Sequence, residues 1–504
     1  MLDNLIRRGY FPKELPPAFE TVSFADALGN ILPLLDNFEK KSSSCAYFSM
    51  PKIRHARRNI GVPNPLHQLR LSKVIADNWC ELDHFMRQSR ISLSTPQVDN
   101  TLKRALVRSK SWDEVSLQKC ICSSAARFMV RVDLSRFYST LYTHSIAWAL
   151  HTKEEARRRQ LDETLVGVAL DMKVRNTQEK QTLGIPVGPD TSDVIAEILA
   201  AAIDQRIQAE IPNLTGIRYV DDYFLYFPTR SEAEQSLKIL ARSIAYFNLE
   251  LNDLKTSIHE LPDVPEPVWK ADLRSFVIRQ EREQLDLLAF FSKAYDYAIK
   301  YPGNNVLKYA LRCSKDHLVP REHWQLYESF LLSCLVAEPS LAPTVAVIFR
   351  EYSERDYTFD SQKLAESLST ICDAHSNLGH GFEVAWSLWF CKLFSVSLPE
   401  RILQKVSQIE DSVIALIALD LRERGLVNNL DTQLWERRMD GNELYSNNWM
   451  LAYEAYISGW LPSRDGADYI GGDPFFATLR DNKVQFYDVG VDQPVTEALS
   501  WLGY

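Results

Sequence analysis

The sequence predicts an α+β amino-terminal half, an antiparallel sheet packed with helices, followed by an all-α carboxy-terminal half. Three observations carry this. Short apolar runs of strand length, Phe128 to Asp133, Gly216 to Phe227 and Lys255 to His259, are confined to one stretch and alternate with helical spacings. Strand signals stop near residue 281. From there amphipathic helices follow one another at about the 40-residue spacing of HEAT-type hairpins, without a signature repeated at fixed period. A chain of 504 residues has room for several domains, and the pattern divides it at about residues 50, 127 and 280.

The elements follow in order. Arg8 to Phe19 holds three prolines and a glycine, so it reads as an extended arm, and Ser23 to Phe38 as a short helix. Pro51 to Pro65 is Pro-rich and basic, a loop or β-ribbon, and Leu66 to Arg87 has helical spacing. Phe128 to Asp133 is an apolar run ending in an acid, as a core strand delivers a carboxylate to its exposed end. Helices are expected over Ser145 to Arg158, Glu163 to Val174, Ser192 to Gln208 and Ser231 to Phe247, with a turn at Gly184 to Asp190. Gly216 to Phe227 reads as strand, tight turn, strand, with Asp221 and Asp222 at the turn. Eight helices are expected between Gln284 and Gly425, and a short strand over Lys483 to Tyr487.

Composition excludes several classes. Hydrophobic residues make up 46% and charged residues 24%, values of a globular protein. The net charge of −9 rules out a uniformly basic nucleic-acid coat. Charge is uneven, however: Pro51 to Lys110 carries twelve Lys and Arg against four Asp and Glu, whereas Glu351 to Tyr504 sums to −12. One part of the chain is thus suited to meet an anion. No apolar run reaches the roughly 20 residues of a membrane span, and Met1 to Lys13 lacks a signal-peptide stretch, so a cytoplasmic location without membrane contact is expected. The eight cysteines form no CxxC pair and no histidine–cysteine cluster suggests a second metal.

Three acids stand out. Asp133 ends one strand, and Asp221 and Asp222 occupy a turn clamped between apolar runs. Adjacent carboxylates repel and are costly to desolvate, and divalent cations relieve both costs. Three carboxylates converging from neighbouring strands can hold two Mg²⁺ ions, with Mn²⁺ as an alternative, one activating an attacking hydroxyl and one bracing a leaving pyrophosphate.

Val132-Asp-Leu-Ser-Arg-Phe-Tyr138, Gly184-Ile-Pro-Val-Gly188 with Ser192, Tyr219-Val-Asp-Asp222 and Leu251-Asn-Asp-Leu-Lys255 stand in the order and spacing of the palm motifs of reverse transcriptases, a family this chain resembles. The resemblance implies a fold of reverse-transcriptase-like fingers (51–127) and palm (128–280), the palm an RRM-like antiparallel sheet with helices, after an arm and helix (1–50) and before an all-α HEAT-like helical-repeat domain (281–504). It implies Asp133, Asp221 and Asp222 as catalytic metal ligands, Tyr138 as the bulky gate against a sugar 2′-hydroxyl, Gly188 in the nucleotide pocket, and Lys255 near the departing phosphate. The basic segment resembles a fingers hairpin in which Lys52, Arg54 and Arg58 cradle the triphosphate. Template-copying relatives carry Gln where this chain has Val187, which can neither donate nor accept.

Gly9 to Phe19, Ser23 to Leu28, Asp133 to Ile146 and the helical carboxy-terminal half together resemble the bacterial abortive-infection (Abi) reverse transcriptases, AbiK-like and prophage-borne. That likeness implies antiphage DNA synthesis from dNTPs without a template, primed by a protein hydroxyl so that single-stranded product stays attached, in a cytoplasmic bacterial homo-oligomer, a trimer or hexamer. Tyr10 on the arm is the favoured priming residue, with Tyr47, Tyr142, Tyr445 and Tyr504 as others. Two alternatives stand beside this reading: a template-copying reverse transcriptase of retroelement type, and a non-catalytic helical scaffold with a relic palm.

Overall fold

The computed structural model describes residues 1–38, 42–52, 56–101, 103–264 and 266–491. Strands β1 (Ala46–Pro51) and β2 (Arg57–Val62) form one antiparallel hairpin, and β3 (Pro96–Val98) and β4 (Leu106–Arg108) a second. A four-stranded antiparallel sheet follows from β5 (Phe128–Asp133), β6 (Thr215–Tyr219), β7 (Asp222–Phe227) and β8 (Ser257–Glu260), in the order β6-β7-β5-β8. Arg54 lies outside the described residues.

The sheet follows from alternation. Val130, Val132, Tyr223, Leu225 and Phe227 share a core with the helices Asp190–Glu210 and Arg230–Tyr246, while Met129, Ile217, Phe224 and Tyr226 pack on Val115 of the helix Trp112–Ser123. Successive side chains point to opposite faces, so Asp133 and Asp222 lie on the second face, away from the two long helices. The cover on that face is thinner at the turn, where Asp221 and Asp222 are partly exposed, whereas Asp133 is buried.

In the carboxy-terminal half, helices pack in an overlapping series. Glu283–Lys300 lies on Val306–Lys315 and Trp324–Ala337, Trp324–Ala337 on Ser361–His375, that helix on Gly381–Phe394, and the last on Ser412–Glu423. These eight-residue-or-longer amphipathic segments match the predicted ones within a few residues. No described helix is long and apolar enough to cross a membrane.

Packing groups the chain differently from its linear division. Residues from the first 70 positions, among them Ile6, Tyr10, Phe24, Phe48 and Leu69, are buried in the same core as the carboxy-terminal helices. β1 packs on the helix Gly381–Phe394. Hydrogen bonds cross the same boundary: Trp449 Nε1 donates to the Val62 carbonyl at 3.1 Å, Trp386 Nε1 to Glu14 at 3.0 Å and Asn64 Nδ2 to Leu444 at 2.8 Å.

Several expectations are corrected. Leu2–Arg7 is helical, and the helix expected over Ser23 to Phe38 is broken into Val22–Asp26, Leu28–Ile31 and a 3₁₀ turn, Leu32–Asn37, that takes up Pro33. Leu66 to Arg87 is two helices, Pro65–Asp77 and Trp79–Met86, joined at Asn78. In place of a strand over Lys483 to Tyr487 there is a single bridge between Phe19 and Tyr487. The arm is extended but not loose, since Tyr10, Phe11, Leu15 and Phe19 are buried.

Because Trp449 joins core packing to an indole hydrogen bond across the two halves, Trp449→Ala is expected to lower stability by about 3–5 kcal/mol. Calorimetry should show the first 70 residues and the carboxy-terminal helices losing stability in one transition rather than two.

Candidate active site

Asp133 and Asp222 are register partners on β5 and β7. Directly opposed side chains on an antiparallel pair stand about 5 Å apart, so two residues 89 positions apart in sequence share one spot on the second face of the sheet. Asp221 sits beside them in the two-residue turn between β6 and β7.

That turn is strained. Val220 has φ +57°, a left-handed conformation that a β-branched residue adopts at a cost of about 1–3 kcal/mol. Its amide donates to Ser94 Oγ at 2.9 Å and its carbonyl accepts from Arg218 Nη1 at 3.1 Å. Arg218 is fully buried. Its Nη2 donates to Glu197 Oε1 at 2.7 Å, Nη1 to Glu197 Oε2 at 3.0 Å and Nε to Asp204 Oδ2 at 2.8 Å. One guanidinium between two carboxylates leaves an excess negative charge, which Ser89 and Ser92 partly meet by donating to Asp204 and Glu197 at 2.6 Å each. Burial nonetheless holds the Asp204 carboxyl above its ordinary range, against the pull of Arg218. The Leu134 amide donates to the Asp221 carbonyl at 3.1 Å, tying the turn to the end of β5.

The Asp133 carboxylate accepts from Asn252 Nδ2 at 2.9 Å and from Lys255 Nζ at 2.7 Å. Lys255 is thus brought onto the acids, at the tip of the loop before β8. Burial, then the charges of Asp222 and Asp133, push Asp221 up to about 6. Burial followed by Asp133 raises Asp222 as well, with Arg131, Lys255 and Lys119 opposing. Lys119 stands 3.4 Å over the Phe224 ring and is pulled down to about 8 by burial and then by Arg131.

Three oxygen-donor side chains that repel one another, with a lysine ammonium drawn onto one of them, fit a hard divalent cation. Asp133, Asp221 and Asp222 would hold it. When bound, such an ion lowers the pKa of an attacking hydroxyl and neutralises charge on the leaving phosphates.

Tyr138 lies beside the turn, in a crevice it shares with Ser94, Arg108, Asp193 and Val220. Its hydroxyl donates to Asp193 Oδ1 at 2.6 Å. Gly188 has φ +132°, and a Cβ there would stand 2.5 Å from Pro12 Cγ and 3.1 Å from Ile60 Cγ2. The motif loop is therefore covered by the arm and by the β1–β2 hairpin, whose Gly61 amide donates to the Val187 carbonyl at 2.8 Å.

Lys52 and Arg58 stand exposed on that hairpin. The residue between motif and partner is instead Arg57, paired through both its Nη atoms with the buried Glu383 and through Nη2 with the Ser49 carbonyl at 2.9 Å. Arg108, Asp193, Lys119 and Arg218 were not singled out from the sequence. Arg108 lay in the basic segment, but nothing separated it from its neighbours there.

Tyr10 requires a correction. As the favoured priming residue on an extended arm it would need a free hydroxyl, but Tyr10 is fully buried against Phe11, Phe24 and Phe486, and its hydroxyl donates to the Pro63 carbonyl. Burial holds that hydroxyl well above its ordinary pKa.

Two outcomes are expected. Arg218→Met leaves Glu197 and Asp204 buried without their cation and should cost about 3–5 kcal/mol in denaturant unfolding. Without divalent cation, the raised Asp221 pKa means that the folded state holds a proton the unfolded state has lost, so this contribution to stability is full below about pH 4 and gone above about pH 6. Asp221→Asn should flatten that dependence, and Mg²⁺ should raise the Tm of the unsubstituted protein at pH 8 but not at pH 5.

Residues 68–303 match the family described as reverse transcriptase (RNA-dependent DNA polymerase). The matched stretch contains Asp133, Tyr138, Gly188, Asp221, Asp222 and Lys255, and leaves out Tyr10, Lys52, Arg58 and most of the helical half. Among solved structures, the chain is similar to telomerase from Candida albicans, in a complex with a TWJ fragment of telomeric RNA, at 12% identity and TM-score 0.32, over 69% of this chain and 65% of that one. It is similar to telomerase from Candida tropicalis, in the corresponding complex, at 11% identity and TM-score 0.31, over 72% and 67%. The chain thus spans less than two thirds of the first of these neighbours. None of the curated protein sequences matches it significantly. Reverse transcriptase domains generally use divalent metal ions. Residues 68–303, just under half of the chain, are thus similar to a reverse transcriptase domain, a match that supports a nucleotidyltransferase, RNA-directed DNA polymerase-like enzyme.

Proposed function

We propose that the chain builds DNA from dNTPs at Asp133, Asp221 and Asp222 with Mg²⁺, Mn²⁺ serving in its place, and that it does so without a template, from a protein hydroxyl, as a bacterial antiphage abortive-infection polymerase. The observation that carries the polymerase part is the Asp133–Asp222 register pair with Asp221 in the adjoining turn. In the transfer, the attacking hydroxyl gives up its proton to solvent, its oxygen bonds to the α-phosphorus, the bond from that phosphorus to the bridging oxygen of the β-phosphate breaks, and pyrophosphate leaves. Lys255 at Asp133 is well set to follow the negative charge onto the leaving group.

Template independence draws its support from Val187. It packs against the core under the β1–β2 hairpin, its carbonyl taken by Gly61, and its side chain offers an incoming base no polar group. The hairpin is tied to the helical half through Arg57 and Glu383. In this reading Tyr138 is the sugar gate, Gly188 lies in the nucleotide pocket, and Lys52, Arg54 and Arg58 meet the triphosphate. The helical half is a HEAT-like array and the protein a homo-oligomer.

For priming, Tyr10 would have to leave its aromatic pocket, so we infer that the attacking hydroxyl belongs to half-exposed Tyr47 or to Tyr504, which lies outside the described residues. A template-copying enzyme is the second reading, and the match to reverse transcriptases favours it equally at the level of the palm.

Incorporation of labelled dNTPs should proceed without RNA or DNA primer and leave label on the protein after denaturation. Asp222→Ala should reduce it by at least about 10³-fold. Strict dependence on added RNA would overturn template independence, and peptide mapping of the label identifies the priming residue.

A further inference from the structure

A second cluster of chemistry-bearing side chains lies far in sequence from the palm acids. His375 ends the helix Ser361–His375, and His380 and Glu383 open the helix Gly381–Phe394. Gly379, at φ +63°, reverses the chain between them, which folds one imidazole back on the other. Gly381 allows the close approach, since a Cβ there would stand 2.5 Å from Asp411 Oδ2 and 3.2 Å from the Phe48 ring.

The three side chains converge through single atoms. His375 Nδ1 and His380 Nδ1 are 2.8 Å apart, and Glu383 Oε1 is 3.7 Å from the first and 3.8 Å from the second. The point equidistant from these three atoms is about 2.0 Å from each, the length of a bond from zinc to imidazole nitrogen or carboxylate oxygen. A hydrogen bond between the imidazoles accounts for the shortest edge alone. The oxygen is placed by Arg57, whose Nη1 donates to that same Oε1, and its other side faces both nitrogens.

The surroundings suit a held ion. Both imidazoles are 23% exposed and Glu383 is 2% exposed, so the protein supplies three ligands and leaves a fourth position toward solvent. Arg57 grips Glu383 from β2 and fixes its orientation, as outer partners of metal-bound carboxylates do. Between the histidines, Ser376 is 4% exposed and its hydroxyl has no hydrogen-bond partner among the described residues. Ser376, Asn377 and Gly379 line a polar cleft of about 530 Å³ that also takes in Tyr47, Ser49 and Asn59 of the β1–β2 hairpin.

We propose that His375, His380 and Glu383 form a site for one divalent first-row transition-metal ion, of which Zn²⁺ is the probe, at the joint between the fingers hairpin and the helical half. Imidazole and carboxylate together suit this class better than Mg²⁺. On binding, the one proton the facing Nδ1 atoms share moves to Nε2 of the same ring, so that both Nδ1 lone pairs meet the ion and no net proton is released. The site stands apart from the palm acids and does not depend on the polymerase reading.

The test uses the full chain in millimolar Mg²⁺, so that hard-cation sites are filled, titrated with Zn²⁺ by calorimetry. We expect one equivalent bound, retained in Asp221→Asn/Asp222→Asn, and weakened at least about 100-fold in His375→Asn/His380→Asn. Co²⁺ added to the unsubstituted protein should give visible bands of a low-coordinate nitrogen–oxygen site, a readout that needs no variant to fold. No stoichiometric Zn²⁺ uptake and no Co²⁺ bands, or binding unchanged in the histidine variant, would overturn the proposal.

Discussion

The arrangement of the palm rests on a guanidinium from which water is excluded. Arg218 lies between Glu197 and Asp204 and, with Ser94, holds Val220 in a backbone conformation that a valine does not favour. A buried ion cluster of this kind contributes little net stability, because desolvation offsets much of the attraction. What it contributes is geometry. It fixes the turn that presents Asp221 and Asp222, and cross-strand register then brings Asp133 to them. Burial first, and then the charges of Asp222 and Asp133, hold the Asp221 carboxyl up, and the rigidity behind the turn sustains that arrangement.

A second constraint is the shared core. The β1–β2 hairpin is not a free flap over the palm: one side lies on the helix Gly381–Phe394, and its second strand continues into a backbone contact with Trp449. The arm runs across the motif loop, with Pro12 against Gly188 and the Gly9 carbonyl accepting from the Asp190 amide at 2.7 Å. The helical half is therefore part of the frame that shapes the approach to the acids.

Much of this was legible in the sequence where local rules decide. Alternation in Phe128 to Asp133 and Tyr223 to Phe227 separates the two faces of the sheet, and an acid at a strand end or in a tight turn reads as exposed chemistry. Most helix boundaries in the second half follow from amphipathic spacing. Less was legible where distant residues decide. The burial of Tyr10 depends on Phe486, more than 470 positions away. Whether Arg57 or Arg58 meets a partner depends on which face of β2 lies against Glu383, and the hairpin's sequence does not hold that information. Arg218 interrupts an otherwise apolar strand, and its partners Glu197 and Asp204 lie on a helix that precedes it. His375 and His380 read as two isolated polar residues until Gly379 turns the chain between them.

The two ends of the described chain are stitched together. The Glu20 amide donates to the Phe486 carbonyl, the Asp488 amide donates to the Ala18 carbonyl, and Tyr10, Phe11 and Phe24 close on the Phe486 ring. On the ribosome, Tyr10, Phe11 and Phe24 must therefore wait for Phe486, more than 460 positions later, before their burial is complete. At roughly 5–20 residues per second that is a delay of roughly half a minute to a minute and a half, during which an aromatic-rich segment stays uncovered. A nascent chain of this design has a long window for chaperone capture, and the burial of the arm is not complete until Phe486 has emerged.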